Sequence, residues 1–360
     1  MFSGIMVFFT NIILVVLIMC LEKKHEKSID FRYERKLFGI ANGLVLVIEP
    51  VICRKSDYNM VVLFCLVLMI LRILLRVCFE KRIQESGVFY GALKSEFNEE
   101  LWLLAAAALL AVFTKLEPFF YMMPLLITLF SGSGSKIAGS QYGTICLNRM
   151  DEKRKTLLEF FTFCCSCYLI LLGFFLCYDH FIKTDSILAA FLFSGSLAAA
   201  HLVSMSGMEN FIVPLSAYLY LQVYAGGRLK LTLWGAVSIM IVLTMLFMLV
   251  LTSRQKVTPL SLVLLSNVCF ISFLCGGLYY MLLVMIIWYF MFLASAFVSG
   301  KKQKAQLSDF EEFQVMVLIS LMAVQKGISR SCGMNSLLVC FSICLLIKRA
   351  IIQRGKVYEM

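Results

Sequence analysis

Long apolar runs separated by short charged segments make up most of this chain. A run that crosses the roughly 30 Å hydrocarbon layer of a membrane must satisfy its own backbone hydrogen bonds, which a helix does without partners. The runs do not alternate polar and apolar residues as membrane strands do. The pattern therefore predicts an all-α, polytopic bundle of transmembrane helices, with about thirteen spans. The predicted spans are 4–21, 37–53, 60–78, 101–113, 118–131, 157–178, 186–206, 210–225, 231–252, 259–275, 277–298, 312–325 and 335–351.

Composition supports the same class. Hydrophobic residues make up 61% of the chain, charged residues make up 15%, and the mean hydropathy is +0.89. Such a chain has lipid as its natural solvent. We expect an integral protein of the bacterial cytoplasmic membrane, in contact with membrane lipids, either alone or as a homo- or hetero-oligomer.

The positive charges indicate an orientation. Most of the 33 Lys and Arg lie in the odd-numbered loops and at the C-terminal end. Because Lys and Arg accumulate on the cytoplasmic side, this asymmetry predicts an N-terminus outside and a cytoplasmic C-terminus. The net charge of +11 is then a matter of topology and of anionic headgroups, and we expect no nucleic-acid partner.

The 14 cysteines fall almost entirely inside apolar spans. They form no pair of C-x-x-C motifs, and the chain has only 3 histidines that could complete a metal site. Cysteine in a packed or lipid-facing helix behaves as a small hydrophobic residue. This pattern favours a structural role over a metal, redox or disulfide role.

The loop predicted at 132–156 is rich in candidate phosphate-binding residues. It opens with glycines and serines, continues through Gly139 to Gly143, and ends in the basic segment 153–156. Small residues allow backbone N–H groups to approach an anion, and Lys and Arg donate to phosphate oxygens. A flexible connection, or close helix packing through small residues, explains the same pattern and stays open.

A carboxylate and an amide, Glu209 and Asn210, come directly before the apolar run that contains Val213-Pro214-Leu215. This turn resembles the Asp-Asn-Leu-Thr-Val-Pro-Leu signature of the phytol kinase and dolichol kinase family of polytopic lipid kinases. Other elements follow the family order over roughly residues 34 to 225. They are Arg35-Lys36, the segment from Tyr90 to Lys94, the segment from Gly139 to Gly143, and Lys155-Thr156.

The resemblance implies transfer of a phosphoryl group from a nucleoside triphosphate, CTP or else ATP, to a long isoprenoid alcohol at the cytoplasmic face, with Mg²⁺. Such a reaction needs alignment and neutralisation of charge more than covalent chemistry. By the resemblance, Lys155, Glu209 and Asn210 are catalytic, and Glu209 and Asp151 bind the metal. The implied nucleotide-binding residues are Arg35, Lys36, Lys94, Gly139, Gly143, Arg149, Arg154 and Thr156.

The chain departs from the family pattern at the predicted metal site. Gly132 stands where the family has an aspartate, and Lys136 stands where the family has small or acidic residues. Losing a carboxylate removes one of the few hard oxygen ligands that Mg²⁺ uses. Asp151, Glu152 or Glu159 could replace it, but Asp151 and Glu152 could equally mark a solvated helix N-terminus.

We divide the chain into an anchor helix with a basic loop (1–36), a kinase-like membrane domain (37–230) and a C-terminal membrane extension (231–360). The extension has a faint resemblance to phytyl-phosphate kinases, which are sometimes fused behind a phytol kinase unit. The polar signature of those relatives is replaced here by the apolar sequence that follows Gln314-Val315. We therefore interpret the extension as mainly structural.

Intramembrane ionisable residues are costly and are functional candidates for that reason. His201 lies on the span that leads to Glu209, where it could act as a base or simply pack between helices. Two other functions compete with the kinase. One is an inactive member of the same family that acts as a scaffold subunit. The other is a transporter, which should show internal repeats that we do not detect.

Overall fold

The computed structural model describes the chain mainly in four stretches, 58–83, 90–150, 153–226 with short gaps, and 259–298. The gaps are 180–183 and 205–206, and short pieces are also described at 40, 43–48, 50–51, 314–315, 317–319 and 321–322. Predicted spans 4–21, 231–252 and 335–351 lie outside the described residues, as does the loop that holds Arg35 and Lys36.

The described part of the chain is mostly α-helical, which confirms the all-α part of the predicted class. The exception is one small antiparallel hairpin. In chain order the elements are α1 (Tyr58–Ile83), α2 (Tyr90–Thr114), α3 (Pro118–Leu126), a π-helix (Ile127–Gly132), α4 (Ser133–Tyr142), β1 (Cys146–Met150), β2 (Lys153–Thr156), α5 (Leu157–Asp179), α6 (Thr184–Val203), α7 (Glu209–Ala225) and α8 (Pro259–Val298).

The prediction of a loop at 132–156 is wrong for residues 133–142, which form α4. Helix α3 starts with Pro118 in its first turn, where the missing N–H costs nothing, and the chain then stays helical through the π-helix and α4 to Tyr142. Glycine and serine suggested a loop, but their small side chains here allow close helix packing instead. The second half of the segment forms β1 and β2, which pair antiparallel from Cys146 opposite Thr156 to Met150 opposite Lys153.

The segment from Tyr90 to Lys94 is also helical, because α2 begins at Tyr90 rather than near residue 101. The predicted spans 60–78 and 101–113 leave this segment in the loop between them. In the structure the polar residues between 94 and 100 occupy the first turns of a helix whose later turns are apolar and buried around Ala106, Ala107 and Leu110. Glu99 therefore lies on a helix, where it forms part of the candidate site described below.

Helices α5 and α6 form an antiparallel hairpin. The Cys164 sulfur lies 3.7 Å from the Ser194 hydroxyl, and the rings of Phe163 and His201 stack with centroids 4.6 Å apart. Small residues on α6, such as Ala190 and Ala198, are fully buried, which lets the two backbones approach closely. The hairpin therefore brings the start of α5 and the end of α6 to the same end of the bundle.

Within the described residues, two helices are long and apolar enough to cross a membrane, at Leu157–Cys177 and Asp185–Val203. Shorter apolar helices occur at Tyr58–Leu71, Leu265–Cys275 and Gly277–Ile287. Large apolar side chains face outward on the hairpin, with Leu169 66% exposed and Phe191 62% exposed. Such a surface is costly in water and suits lipid.

The chain divides into two compact units, Met1–Tyr218 and Leu219–Met360, with the boundary inside α7. In the second unit, α8 is interrupted at Gly277, whose φ of 74° and ψ of −165° are conformations that glycine adopts without a steric penalty. The sequence predicted this break between spans 259–275 and 277–298. Each half of α8 is a separate apolar helix.

The hairpin generates a test of membrane crossing. Cys146 is exposed before α5, and Asp185 is exposed at the start of α6. If α5 crosses the membrane in the predicted orientation, a membrane-impermeant maleimide should label Asp185→Cys in intact cells and label Cys146 only after the cells are permeabilised. Cys146→Ser is the control for background labelling, and labelling of both positions from the same side would show that α5 does not cross.

Candidate functional site

Four charged side chains from four separate segments meet at one end of the first unit, and we call Glu99, Lys136, Lys155 and Glu209 the charge cluster. Lys136 on α4 lies between the two carboxylates. Its Nζ is 2.9 Å from Glu99 Oε2 on α2 and 2.9 Å from Glu209 Oε1 at the start of α7. Lys136 and Glu99 are each 18% exposed at the side chain, whereas Glu209 is 3% exposed.

The turn before α7 holds the Glu209 carboxylate in place. Gly207 has a φ of 98°, which favours glycine, and its backbone N–H donates to Glu209 Oε2 at 3.0 Å. The same turn begins the helix, since the backbone N–H of Asn210 donates to the carbonyl of Gly207. Both oxygens of Glu209 are therefore engaged, one by Lys136 and the other by the backbone.

Lys155, the last but one residue of β2, points into the same cluster. Its Nζ lies 3.9 Å from Glu209 Oε2 and donates to two backbone carbonyls at the end of α6, those of His201 and Ser204, the second at 2.6 Å. The last carbonyls of a helix have no partner within the helix and carry partial negative charge, so they attract a cation. The predicted phosphate-binding lysine is thus buried, and it is already held by protein oxygens.

The cluster balances two ammonium groups against two carboxylates. Burial alone would raise the pKa of Glu209, but the attraction of Lys136 and then Lys155 outweighs it and lowers the pKa from 4.5 to about 2. Burial alone would lower the pKa of Lys136, but Glu209 and Glu99 together raise it above 10.5. Each charge is stable here only because its partners are present.

Asn210 joins the cluster through the backbone of α2. Its side-chain Nδ2 donates to the carbonyl of Glu99 at 3.0 Å, and the next residue, Phe211, packs edge-on against Trp102 at 5.4 Å between ring centroids. Because Pro214 has no N–H, the carbonyl of Asn210 lacks the donor that a helix normally supplies four residues later. The side-chain hydrogen bond of Asn210 ties the first turn of α7 to α2.

Gly139 and Gly143 lie against the start of α5. A Cβ at Gly139 would come within 2.8 Å of the Glu159 Cβ, and a Cβ at Gly143 would come within 2.4 Å of Thr156 Oγ1. Thr156 caps α5, since its hydroxyl accepts the backbone N–H of Glu159 at 3.2 Å. The two glycines therefore allow close packing, one of the two interpretations that the sequence left open.

His201 and Glu159 form the inner edge of the site. His201 Nδ1 lies 3.9 Å from Glu159 Oε1, and the ring is 2% exposed and stacked on Phe163. Its Nε2 has no hydrogen-bond partner among the described residues. Both features match a histidine packed between helices, while the carbonyl of His201 serves the cluster by accepting from Lys155.

The other predicted site residues are described only in part. Arg35, Lys36 and Asp151 lie outside the described residues. Lys94 lies on α2, and Arg149 and Arg154 lie opposite each other on β1 and β2, but their side chains are not described. Gly132 ends the π-helix, and nothing lies within 4 Å of the position that a Cβ would take there.

The described residues do not fit Mg²⁺ at Glu209. Its two oxygens already accept from Lys136 and from the Gly207 N–H, and two ammonium groups repel a divalent ion. No group of three His, Cys, Asp or Glu side chains that could hold a metal occurs in the part of the chain that the structure describes. The proposed replacement ligand Glu159 lies 3.9 Å from His201 and belongs to no such group among the described residues.

Sequence reasoning missed Glu99 and gave Lys136 no role. Glu99 and Glu100 directly precede the predicted span at 101–113, so the sequence places both residues in a loop. A carboxylate at a helix boundary is usually solvated, so nothing in its sequence context distinguished Glu99. The signal that could have found it was a matching charge, Lys136, on another segment predicted to lie on the same side.

We expect Gly139→Ala to destabilise the protein by about 1–3 kcal/mol, because the added methyl overpacks the contact with Glu159. Gly134→Ala is the matched control, since Gly134 is also on α4 and nothing lies within 4 Å of its Cβ position. This control should be neutral or stabilising by up to about 1 kcal/mol. Thermal unfolding in detergent measures both, and equal effects would contradict the packing role.

We expect the cluster to stabilise the fold over a wide pH range. Because the folded pKa of Glu209 is lowered, its contribution is present above 4.5 and is lost as the pH falls from 4.5 to about 2. Because the pKa of Lys136 is raised, its contribution is complete below 10.5 and is lost only as the pH rises through the folded value.

Unfolding temperature against pH measures this effect. The loss of stability on the acid side should be shallower in Glu209→Gln than in the original protein. Glu117→Gln, which removes an exposed carboxylate, should leave the fall in unfolding temperature at low pH unchanged. If the unfolding temperature of Glu209→Gln falls as steeply at low pH as that of the original protein, the stabilising role of Glu209 is contradicted.

Comparisons with family models, with curated proteins and with solved structures found no match. The likeness to phytol and dolichol kinases therefore depends on the quoted residues alone.

Proposed function

We propose that this protein is a membrane-embedded, lipid kinase-like protein that transfers a phosphoryl group from a nucleoside triphosphate to an isoprenoid alcohol at the cytoplasmic face. CTP is the favoured donor, and ATP is the alternative. The resemblance implies a divalent ion bound together with the nucleotide, but the described carboxylates are not arranged to hold such an ion. We further propose an integral protein of the bacterial cytoplasmic membrane with about thirteen spans, the N-terminus outside and the C-terminus inside.

The convergence of Lys155, Glu209 and Asn210 supports the proposal. The resemblance singled out these residues on two segments more than 50 residues apart, and they belong to one small cluster in which Lys155 Nζ lies 3.9 Å from Glu209. Asn210 reaches the same cluster through Glu99. A site for phosphoryl transfer requires cations, a carboxylate and an amide close together.

The position of the cluster relative to the two long apolar helices also supports the proposal. Lys155 precedes one helix that is long enough to cross, and Glu209 follows the other, so the cluster lies at one end of both. A triphosphate in water and an alcohol anchored in lipid can meet only near such an end. For Lys155 to bind phosphate, the phosphate would have to replace the carbonyls of His201 and Ser204 as its partners.

One observation favours a second function, an inactive family member that acts as a membrane scaffold. The ionic groups of the cluster satisfy one another, with Lys136 and Lys155 neutralising Glu209 and Glu99. An active site generally keeps charge available for its substrate. A scaffold would use the same cluster only to lock helices together, and it would bind no nucleotide.

We expect purified full-length protein to transfer label from CTP, or more weakly from ATP, to at least one prenol in a panel of chain lengths with Mg²⁺. Lys155→Ala and Asn210→Ala should each lower the rate about 100-fold, because on this proposal both donors leave their protein carbonyls to stabilise the charged transition state. Thin-layer chromatography of the lipid product measures the rate.

Two controls separate catalysis from folding. Lys115→Ala removes an exposed lysine outside the cluster and should leave the rate unchanged. Unfolding temperatures show whether Lys155→Ala is folded. If it is not folded, Lys155→Arg, which keeps the positive charge, is measured instead. Product formation that is equal in Lys155→Ala and the original protein would contradict the site. No product and no CTP or ATP binding would favour the scaffold.

A further inference from the structure

We propose that Lys136 is the resident cation of this site, an ammonium group that holds the place between Glu99 and Glu209 that a divalent metal would otherwise take. The inference deepens the proposed function, because it states how this site neutralises its carboxylates. It also concerns a residue to which the sequence assigned no role. Lys136 stands at a position where the resemblance leads one to expect small or acidic residues.

The geometry of Lys136 carries the proposal. Its Nζ lies 2.9 Å from one oxygen of each carboxylate, and the two carboxylates come from α2 and α7, 110 residues apart in sequence. A side chain that bridges two acidic groups from different helices does what a bound Mg²⁺ or Mn²⁺ does in carboxylate sites, where hard oxygen ligands surround one positive centre. The difference is that this cation is covalently part of the chain.

The two ammonium groups beside the buried Glu209 make a divalent cation there unfavourable. Glu209 is 3% exposed at its side chain, so its charge must be compensated locally, and Lys136 does this with Lys155 at 3.9 Å. A divalent ion placed beside Glu209 would meet two ammonium groups at short range. The site therefore has its full positive charge before any metal arrives, and binding of a nucleotide would not depend on a metal held by Glu209.

Removing the ammonium should uncover a metal site. In Lys136→Ala, Glu99 and Glu209 lose the cation that they share, while Lys155 stays 3.9 Å from Glu209. The space that the end of the Lys136 side chain occupied lies between the two carboxylates. Such a pair binds Mn²⁺ or Mg²⁺ through oxygen ligands and gains stability from the ion. Lys136→Arg keeps a cation and should not acquire the site.

The test uses Mn²⁺ alone, without nucleotide or alcohol, on purified full-length protein. Electron paramagnetic resonance of free Mn²⁺ counts bound ions, and thermal unfolding with and without Mn²⁺ measures stabilisation. We expect Lys136→Ala to bind one Mn²⁺ ion more than the original protein, and to unfold at a higher temperature with Mn²⁺ than without it. Lys136→Ala/Glu209→Gln should lose that ion, and Lys136→Arg should match the original protein.

Two results would overturn the proposal. One is a Mn²⁺ ion bound by the original protein that Glu209→Gln removes, since the metal would then already be held beside Lys136. The other is no additional ion in folded Lys136→Ala. Where Lys136→Ala does not fold, Lys136→Gln supplies the same comparison with an uncharged side chain of similar length. These readouts involve no catalysis, so failure of the kinase proposal and failure of this one remain distinguishable.

Discussion

The attraction between Lys136 and its two carboxylates is the constraint on which the arrangement of the first unit depends. A buried charge without a partner costs several kcal/mol, and breaking one partner from a buried pair costs about 3–5 kcal/mol. The helices α2, α4 and α7 must therefore keep Glu99, Lys136 and Glu209 within a few ångströms of one another. Apolar packing alone would tolerate many small shifts among these helices, whereas the ionic contacts select one arrangement.

The close packing at the start of α5 complements this ionic constraint. Gly139 and Gly143 bring α4 against Thr156 and Glu159, and the short β-hairpin returns the chain so that Lys155 enters the cluster from the other side. The small residues set the distance between α4 and α5, and the ionic contacts set the relative positions of α2, α4 and α7. The site is thus positioned by two different forces, and neither of them requires a loop that closes over a ligand.

The sequence predicted the helical class, the α5–α6 hairpin and the break at Gly277, because apolar runs, their lengths and glycine have direct physical meanings. It predicted Lys155, Glu209 and Asn210 as neighbours only through the family resemblance. It did not predict the helix from Ser133 to Tyr142, since glycine and serine have low helix propensity and only tertiary packing with α5 reverses that preference. Glu99 was missed because its ionic partner, Lys136, lies 37 residues further along the chain, and such a separation leaves no local pattern.

The π-helix at Ile127–Gly132 has a consequence for the face that α4 presents. A wide turn of this kind adds a residue to the helical repeat, so every later side chain is rotated by about 100° relative to an uninterrupted α-helix. The direction in which α4 presents Lys136 relative to α3 therefore depends on that extra residue. Sequence changes that shorten this turn would leave each residue chemically intact while aiming Lys136 at a different neighbour, so the length of the segment carries as much information as its composition.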